Sequence, residues 1–361
     1  MKPWKDYSPN PSVPWNTGMV TPQVQETPQP QISDFALEMR PHHPFGALRR
    51  AANAQAGALL IYHVIMNVVI MVVAFVVSFG LAFSGALENE TVDVETVTQI
   101  TMESAGWGYV IAVAIGFLAL LVWKKPGYLR HTILQKGKSI GIGGFFAFLS
   151  IMMSAQMVAQ ICNLGLEGLM NAFGLDGASL EQLGNVDTDS FGMFLYVGIL
   201  APISEELLFR GLVLRSIEPY GKKMAVIGSA ILFGLYHGNL VQTPYAIMVG
   251  LVLGYVAMEY HVIWAIAMHM FNNLVFAMLL PKALAFLPIP IIDGILWALT
   301  IGFFVAAVLI LIAKHAEAIA VWKQETVQNW QRRAFFRAPA VIVLIVVCLI
   351  NIVATTLLLF M

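Results

Sequence analysis

The chain has 361 residues, 58% of them hydrophobic and only 11% charged, with a formal net charge of -1 and a mean hydropathy of +0.76. Soluble domains usually carry about a quarter charged residues, so these charges are too few to cover a water-facing surface, and lipid is the expected cover. The near-neutral balance gives no electrostatic footprint for nucleic acid. Cys162 and Cys348, both within apolar runs, imply no disulfide framework or zinc ribbon and read as inert buried thiols.

The N-terminus lacks the short apolar core of a signal peptide. Residues 1–48 hold nine of the 17 prolines, mixed with Gln, Thr, Ser and Asn. Such a segment cannot bury enough apolar surface to offset its ordering entropy, and it predicts a disordered tail. A membrane domain follows over 57–361. A helix needs roughly 20 apolar residues to cross the hydrocarbon core. Candidate spans lie at 58–83, 108–123, 140–161, 191–214, 224–236, 244–258, 262–280, 290–313 and 338–361. The fifth and sixth are short enough to be a broken pair, so the count is eight or nine. The fold class is all-α: a polytopic transmembrane helical bundle with a disordered N-terminal tail.

The basic residues test the orientation of this layout. Of 20 Lys and Arg, five precede the first span, five lie between spans two and three, four at or after the end of span four, and five between spans eight and nine. Only Lys282 falls on the other side, where the loops after spans one and three carry five acidic residues each. Nine spans put every basic cluster in the cytoplasm, with the N-terminus inside a multi-pass protein of the cell membrane. The segment 315–337 mixes Trp322, Trp330 and Phe335 with Lys and Arg. It reads as a helix lying in the cytoplasmic interface, or as a loop with aromatic anchors.

A charge at the bilayer centre costs about 2.5–3.5 kcal/mol on insertion scales, so intramembrane ionisable residues pair, line wet cavities or do chemistry. Three segments break the apolar rule. In span four, Glu206 and Arg210 are four apart and share a helix face, while Glu205 is rotated about 100° from Glu206 and needs another partner. Pro202 just before them leaves a backbone carbonyl free. In span five, Phe233 is followed four residues on by His237. In span seven, His269 and Asn273 are four apart and face the same way. A pair in span one, His63 and Asn67, has no accompanying motif and reads as helix–helix contact.

These three segments, in this order, resemble the CAAX-protease and bacteriocin-processing (CPBP or Abi) family of intramembrane proteases. Its Glu-Glu-x-x-x-Arg, Phe-x-x-x-His and His-x-x-x-Asn motifs correspond here to Glu205-Glu206 with Arg210, Phe233 with His237, and His269 with Asn273. The protease-like core is 191–280. The resemblance implies an endopeptidase in which Glu205 activates water with His237 beside it. His269 and Asn273 would stabilise the oxyanion, and Glu206 and Arg210 would shape the site. It also implies a peptide or membrane-protein substrate reached within or beside the bilayer.

Metal dependence stays open. Glu205, His237 and His269 could hold zinc with a position left for water, yet no His-Glu-x-x-His helix is present; the family has been described both as metalloproteases and as glutamate-dependent enzymes. Two other readings compete. One is a catalytically silent membrane scaffold or bacteriocin-immunity protein on the same fold. The other is a transporter using the same polar groups as a proton relay, which would favour an internal repeat that the sequence does not display.

Overall fold

The computed structural model describes residues 44–88, 93–124, 137–180, 183, 187–323 and 325–359. These form an all-α bundle, with no strand among the described residues. Most of the expected tail, residues 1–43, lies outside them. The first helix, α1 (Pro44–Glu88), begins inside the stretch read as tail, because Ala47 and Leu48 are buried against the bundle. It pairs with α2 (Val94–Lys124) in a long hairpin.

The third span divides at Ser154 into α3 (Ile142–Met153) and α4 (Ala155–Ala172). Ser154 turns its hydroxyl back onto the Ile151 carbonyl at 2.7 Å, a local bond that competes with regular helix. Then come α5 (191–217), α6 (Lys222–Tyr236), α7 (Gln242–Glu259), α8 (Val262–Ala283), α9 (Ile289–Ala313), α10 (His315–Lys323), α11 (Asn329–Phe336) and α12 (Pro339–Leu358).

Each of the nine expected spans is helical, and the protein is a multi-pass membrane protein. Six helical stretches among the described residues are long and apolar enough to cross a bilayer: Pro44–Gly85, Val94–Val122, Ile142–Ala172, Val262–Ala283, Ile289–Ala313 and Pro339–Leu358. The remaining three, α5, α6 and α7, are charged or short. They hold the largest share of the buried core, including Phe209, Leu214, Phe233 and Leu253, and so face protein rather than lipid. The outer helices do the reverse. On α1, Phe75, Phe79 and Phe83 form an exposed stacked ladder, and α12 exposes Val346, Ile350 and Val353.

Between membrane helices there is no hydrophobic driving force, so small residues set how closely backbones approach. The α6–α7 hairpin depends on this. A Cβ on Gly234 would sit 2.7 Å from the Thr243 carbonyl oxygen, and one on Gly250 would sit 3.1 Å from Ala230 Cα. Gly238, with φ of 66°, turns the chain between the two helices.

Charges gather at the two ends. Glu259, closing α7, binds Lys138 at 2.8 Å and Lys222 at 3.1 Å. At the same end Arg215 pairs with Glu218 at 2.8 Å, and Lys223 lies 3.3 Å over the Trp322 ring. At the far end of α8, Lys282 meets Asp189 at 3.3 Å. The segment 315–337 is not one interfacial helix. Helix α10 is exposed throughout, whereas α11 packs into the bundle through fully buried Ala334 and Phe335. Gln331 fixes that docking: it accepts from the Gln328 N–H at 2.6 Å and donates to the Tyr220 carbonyl. Cys348 is buried but Cys162 is exposed on the outer face of α4, against the expectation of two buried thiols.

Candidate active site

Helix α5 is irregular where it carries the charges. Its turns widen to π geometry at Tyr196–Leu200 and again at Glu206–Leu214, and α8 does the same at Phe271–Leu279. Such widened turns are uncommon and concentrate at functional sites. The first has a visible cause. In the wide pattern Ala201 donates to the Tyr196 carbonyl, so the next donor in step, to Val197, would be Pro202. Proline has no N–H. The freed Val197 carbonyl is taken by Asn273, whose Nδ2 donates to it at 3.2 Å from α8. The expected free carbonyl is thus the anchor for one predicted site residue.

Glu206 and Arg210 are fully buried, with Oε1 and Nη1 3.0 Å apart. The approach is an ion pair by distance without hydrogen-bond alignment, since Arg210 Nη1 and Nε and Glu206 Oε2 have no hydrogen-bond partner among the described residues. Arg210 donates instead through Nη2 to the Gly250 carbonyl at 3.4 Å. Its guanidinium also lies 4.2 Å from the centroid of Phe233. The same Phe233 ring meets the rings of His237 and His269 edge-on, with centroids 4.8 and 5.8 Å away. The Phe of the Phe-x-x-x-His segment therefore spaces the arginine and both imidazoles.

His269 is buried between the two carboxylates. Its Nδ1 is 3.0 Å from Glu206 Oε1, and its Nε2 is 3.8 Å from Glu205 Oε2. The Glu205 side chain keeps 23% of its surface accessible, whereas that of Glu206 has none. Adjacent in sequence, the two carboxylates thus occupy different environments. His237 caps α6 and engages the Phe233 carbonyl through Nδ1 at 2.9 Å. No hydrogen bond joins His237 to Glu205 among the described residues; Phe233 is what links it to the cluster.

A polar network behind Asn273 went unread in the sequence. Asn272 Oδ1 accepts from Tyr245 Oη at 2.7 Å and from Gln156 Nε2 at 3.0 Å. Its Nδ2 donates to Asn273 Oδ1 at 2.8 Å. These bonds fix the Asn273 amide, with Oδ1 satisfied and Nδ2 directed at α5. Gln156 and Tyr245 lie in apolar runs, so the rule that polar intramembrane residues find partners was the available signal. Of the pair in α1, His63 contacts other helices: its Nε2 lies 3.4 Å from Asn351 Nδ2 of α12 and its ring packs on Tyr236, while Asn67 donates to the His63 carbonyl within α1.

The proposed metal trio does not fit an ion as it stands. Among the described residues no three His, Cys, Asp or Glu side chains converge as metal ligands.

Fold and site together define a polytopic α-helical membrane protein with a buried carboxylate–imidazole cluster inside the bundle. Residues 187–275 match the family model described as Rce1-like, type II CAAX prenyl endopeptidase Rce1-like. This match takes in all three motifs and bears out the resemblance to the CPBP family drawn from them. It supports a membrane-embedded protease in general terms. No curated protein and no solved structure matches the chain.

Proposed function

We propose that this protein is an intramembrane endopeptidase that hydrolyses a peptide bond with a water activated by Glu205. The observation that carries the reading is the placement of His269 between Glu205 and Glu206, at 3.8 and 3.0 Å. Glu205, the partly accessible carboxylate, accepts a proton from water as the oxygen attacks the scissile carbonyl carbon. His269, anchored through Nδ1 at Glu206, donates from Nε2 to the oxyanion. The second Nδ2 proton of Asn273, held in place by Val197 and Asn272, is the other donor. Donors of this kind gain strength where bulk water is excluded. When the tetrahedral intermediate collapses, the C–N bond breaks and the proton held by Glu205 passes to the departing amine. The free Nε2 of His237 serves as its relay.

The family match, whose description reads type II CAAX prenyl endopeptidase, supports one substrate class: a peptide ending in a lipidated cysteine motif, its lipid dissolved in the bilayer beside the site. The collection of Lys138, Arg215, Lys222 and Lys223 at one end of the bundle supports a cytoplasmic placement of that end, with the N-terminus on the same side in the cell membrane. Cleavage of a quenched prenylated peptide by the purified protein in native-like lipid tests the reading. Release of the C-terminal fragment is the expected result. A protein that cleaves neither this peptide nor membrane-protein substrates in lipid would return the silent-scaffold reading to first place.

A further inference from the structure

The first turns of α1 carry two different faces. Leu48, Ala52 and Ala56 are buried against the bundle. Gly46, Arg49, Arg50, Asn53 and Ala54 follow the i, i+3, i+4, i+7, i+8 pattern and so share another face. Together with Pro339 of α12 they line an open cavity of about 440 Å³. Asn53 ties the two walls together, for its Oδ1 accepts from the Ala340 N–H at 2.8 Å. Arg50 folds back over Gly46, where an added Cβ would lie 3.7 Å from its Nη1.

The cavity is cationic and not neutralised by the protein. Arg49 and Arg50 form no ion pair among the described residues, and neither 44–54 nor 329–339 contains an Asp or Glu. Exposed Arg332 and Arg333 lie on α11, which packs on α1 and leads into α12. Just beyond the cavity the apolar span begins. The cavity face of α1 continues there as exposed Ile61, Val64 and Val68. Ile61 lies roughly 10 Å along the helix from Ala54, at 1.5 Å per residue. A cationic recess thus sits at the head of a hydrocarbon-facing stripe.

We infer that this cavity holds the phosphate headgroup of an anionic phospholipid of the surrounding bilayer, with its acyl chains along the Ile61 face. Guanidinium groups match phosphate oxygens in geometry as well as charge, and basic pockets between membrane helices are suited to such headgroups. A free phosphate offers the same oxygens but nothing for the apolar stripe below. The cavity shares no residue with the candidate active site, and the inference stands independently of the protease reading.

Native mass spectrometry of the full chain in detergent tests it, with titration by phosphatidylglycerol, by phosphatidylcholine, and by inorganic phosphate as a competitor. Arg49→Gln/Arg50→Gln removes the charge of the cavity. Ala54→Trp fills the cavity and leaves its charge. Arg332→Gln/Arg333→Gln takes the same charge from α11 outside it. Wild type is expected to retain phosphatidylglycerol in preference to phosphatidylcholine. Both cavity variants should weaken that binding by at least about tenfold, and the α11 variant by no more than about twofold. Equal weakening in the α11 variant would mean diffuse attraction and overturn the site. So would undiminished binding in the cavity variants, or a wild type that does not prefer the anionic lipid. Displacement of the lipid by inorganic phosphate would overturn the lipid assignment in favour of a free anion. The two cavity variants act by different means, so either one that unfolds at the wild-type temperature is enough to decide.

Discussion

His269 Nδ1 lies 3.0 Å from the Glu206 carboxylate, and that carboxylate lies 3.0 Å from Arg210. A single buried carboxylate thus orients the imidazole on one side and neutralises a guanidinium on the other. Arg210→Ala removes the guanidinium beside a fully buried carboxylate. Breaking a buried pair from one side typically costs about 3–5 kcal/mol. The double variant Glu206→Gln/Arg210→Met should recover much of the stability, because no uncompensated charge remains, yet stay inactive because His269 loses its carboxylate. Thermal unfolding and cleavage, measured on both variants, check the two halves separately.

Asn273 is predicted to act in the transition state rather than in substrate binding. Asn273→Asp keeps the shape but replaces the Nδ2 donor with a second acceptor facing the Val197 carbonyl. Loss of one oxyanion donor lowers kcat by about 10²–10³, with KM changed little. Tyr245→Phe should give a smaller loss of kcat, since it loosens Asn272 and reaches Asn273 through it. A larger effect on KM than on kcat in either variant would contradict the assignment.

Gly234 controls the placement of His237. A methyl group at Gly234 would come 2.7 Å from the backbone oxygen of Thr243, and backbone cannot yield as a side-chain tip can. Gly234→Ala should cost about 1–3 kcal/mol by overpacking. It should also lower kcat, because His237 follows three residues later on the displaced helix. Gly143→Ala, where nothing lies within 4 Å of the added carbon, is the control that should leave both stability and activity unchanged.

Acid should weaken the end of the bundle where Glu259 sits. The hydrogen bond from Lys138 is the largest influence and, with the smaller one from Lys222, holds its carboxyl below the ordinary range despite the opposing effect of burial. A carboxyl whose folded pKa is depressed stabilises the fold above its unfolded value, about 4.3, and loses that contribution as pH falls through the lowered folded value. Lys138 and Lys222 are 73% and 58% exposed, so the effect is modest and screened by salt. Unfolding temperature followed on acidification should drop less in Glu259→Gln than in wild type, and the difference should shrink in high salt.

The helices and the three motifs were legible because each rests on a short-range rule: apolar length for the spans, and i,i+4 spacing for the charged pairs. The freed carbonyl before the charges was legible as well, since Pro202 announces it. Its taker, Asn273 on α8, was not, because two helices, α6 and α7, lie between the partners in sequence. Gln156, Tyr245 and Asn272 were missed for the same reason: each looks like an isolated polar residue until α4, α7 and α8 are brought together. The first widened turn of α5 is tied to Pro202, whereas the second, and that of α8, have no compositional signature. Helix α11 was misread because aromatic and basic residues suit both an interface and a packed helix. Buried Phe335 fills the space beside Gly228, where a Cβ would lie 3.0 Å from the ring, a complementarity that only the folded bundle reveals.

The central claim is that Glu205 is the base for peptide hydrolysis, and Glu205→Gln tests it most directly. Purified wild type and variant would be compared on the same quenched prenylated peptide in lipid, with unfolding temperatures measured alongside. The account predicts that Glu205→Gln folds like wild type and releases no product above background. A folded Glu205→Gln protein that cleaves as fast as wild type would contradict it.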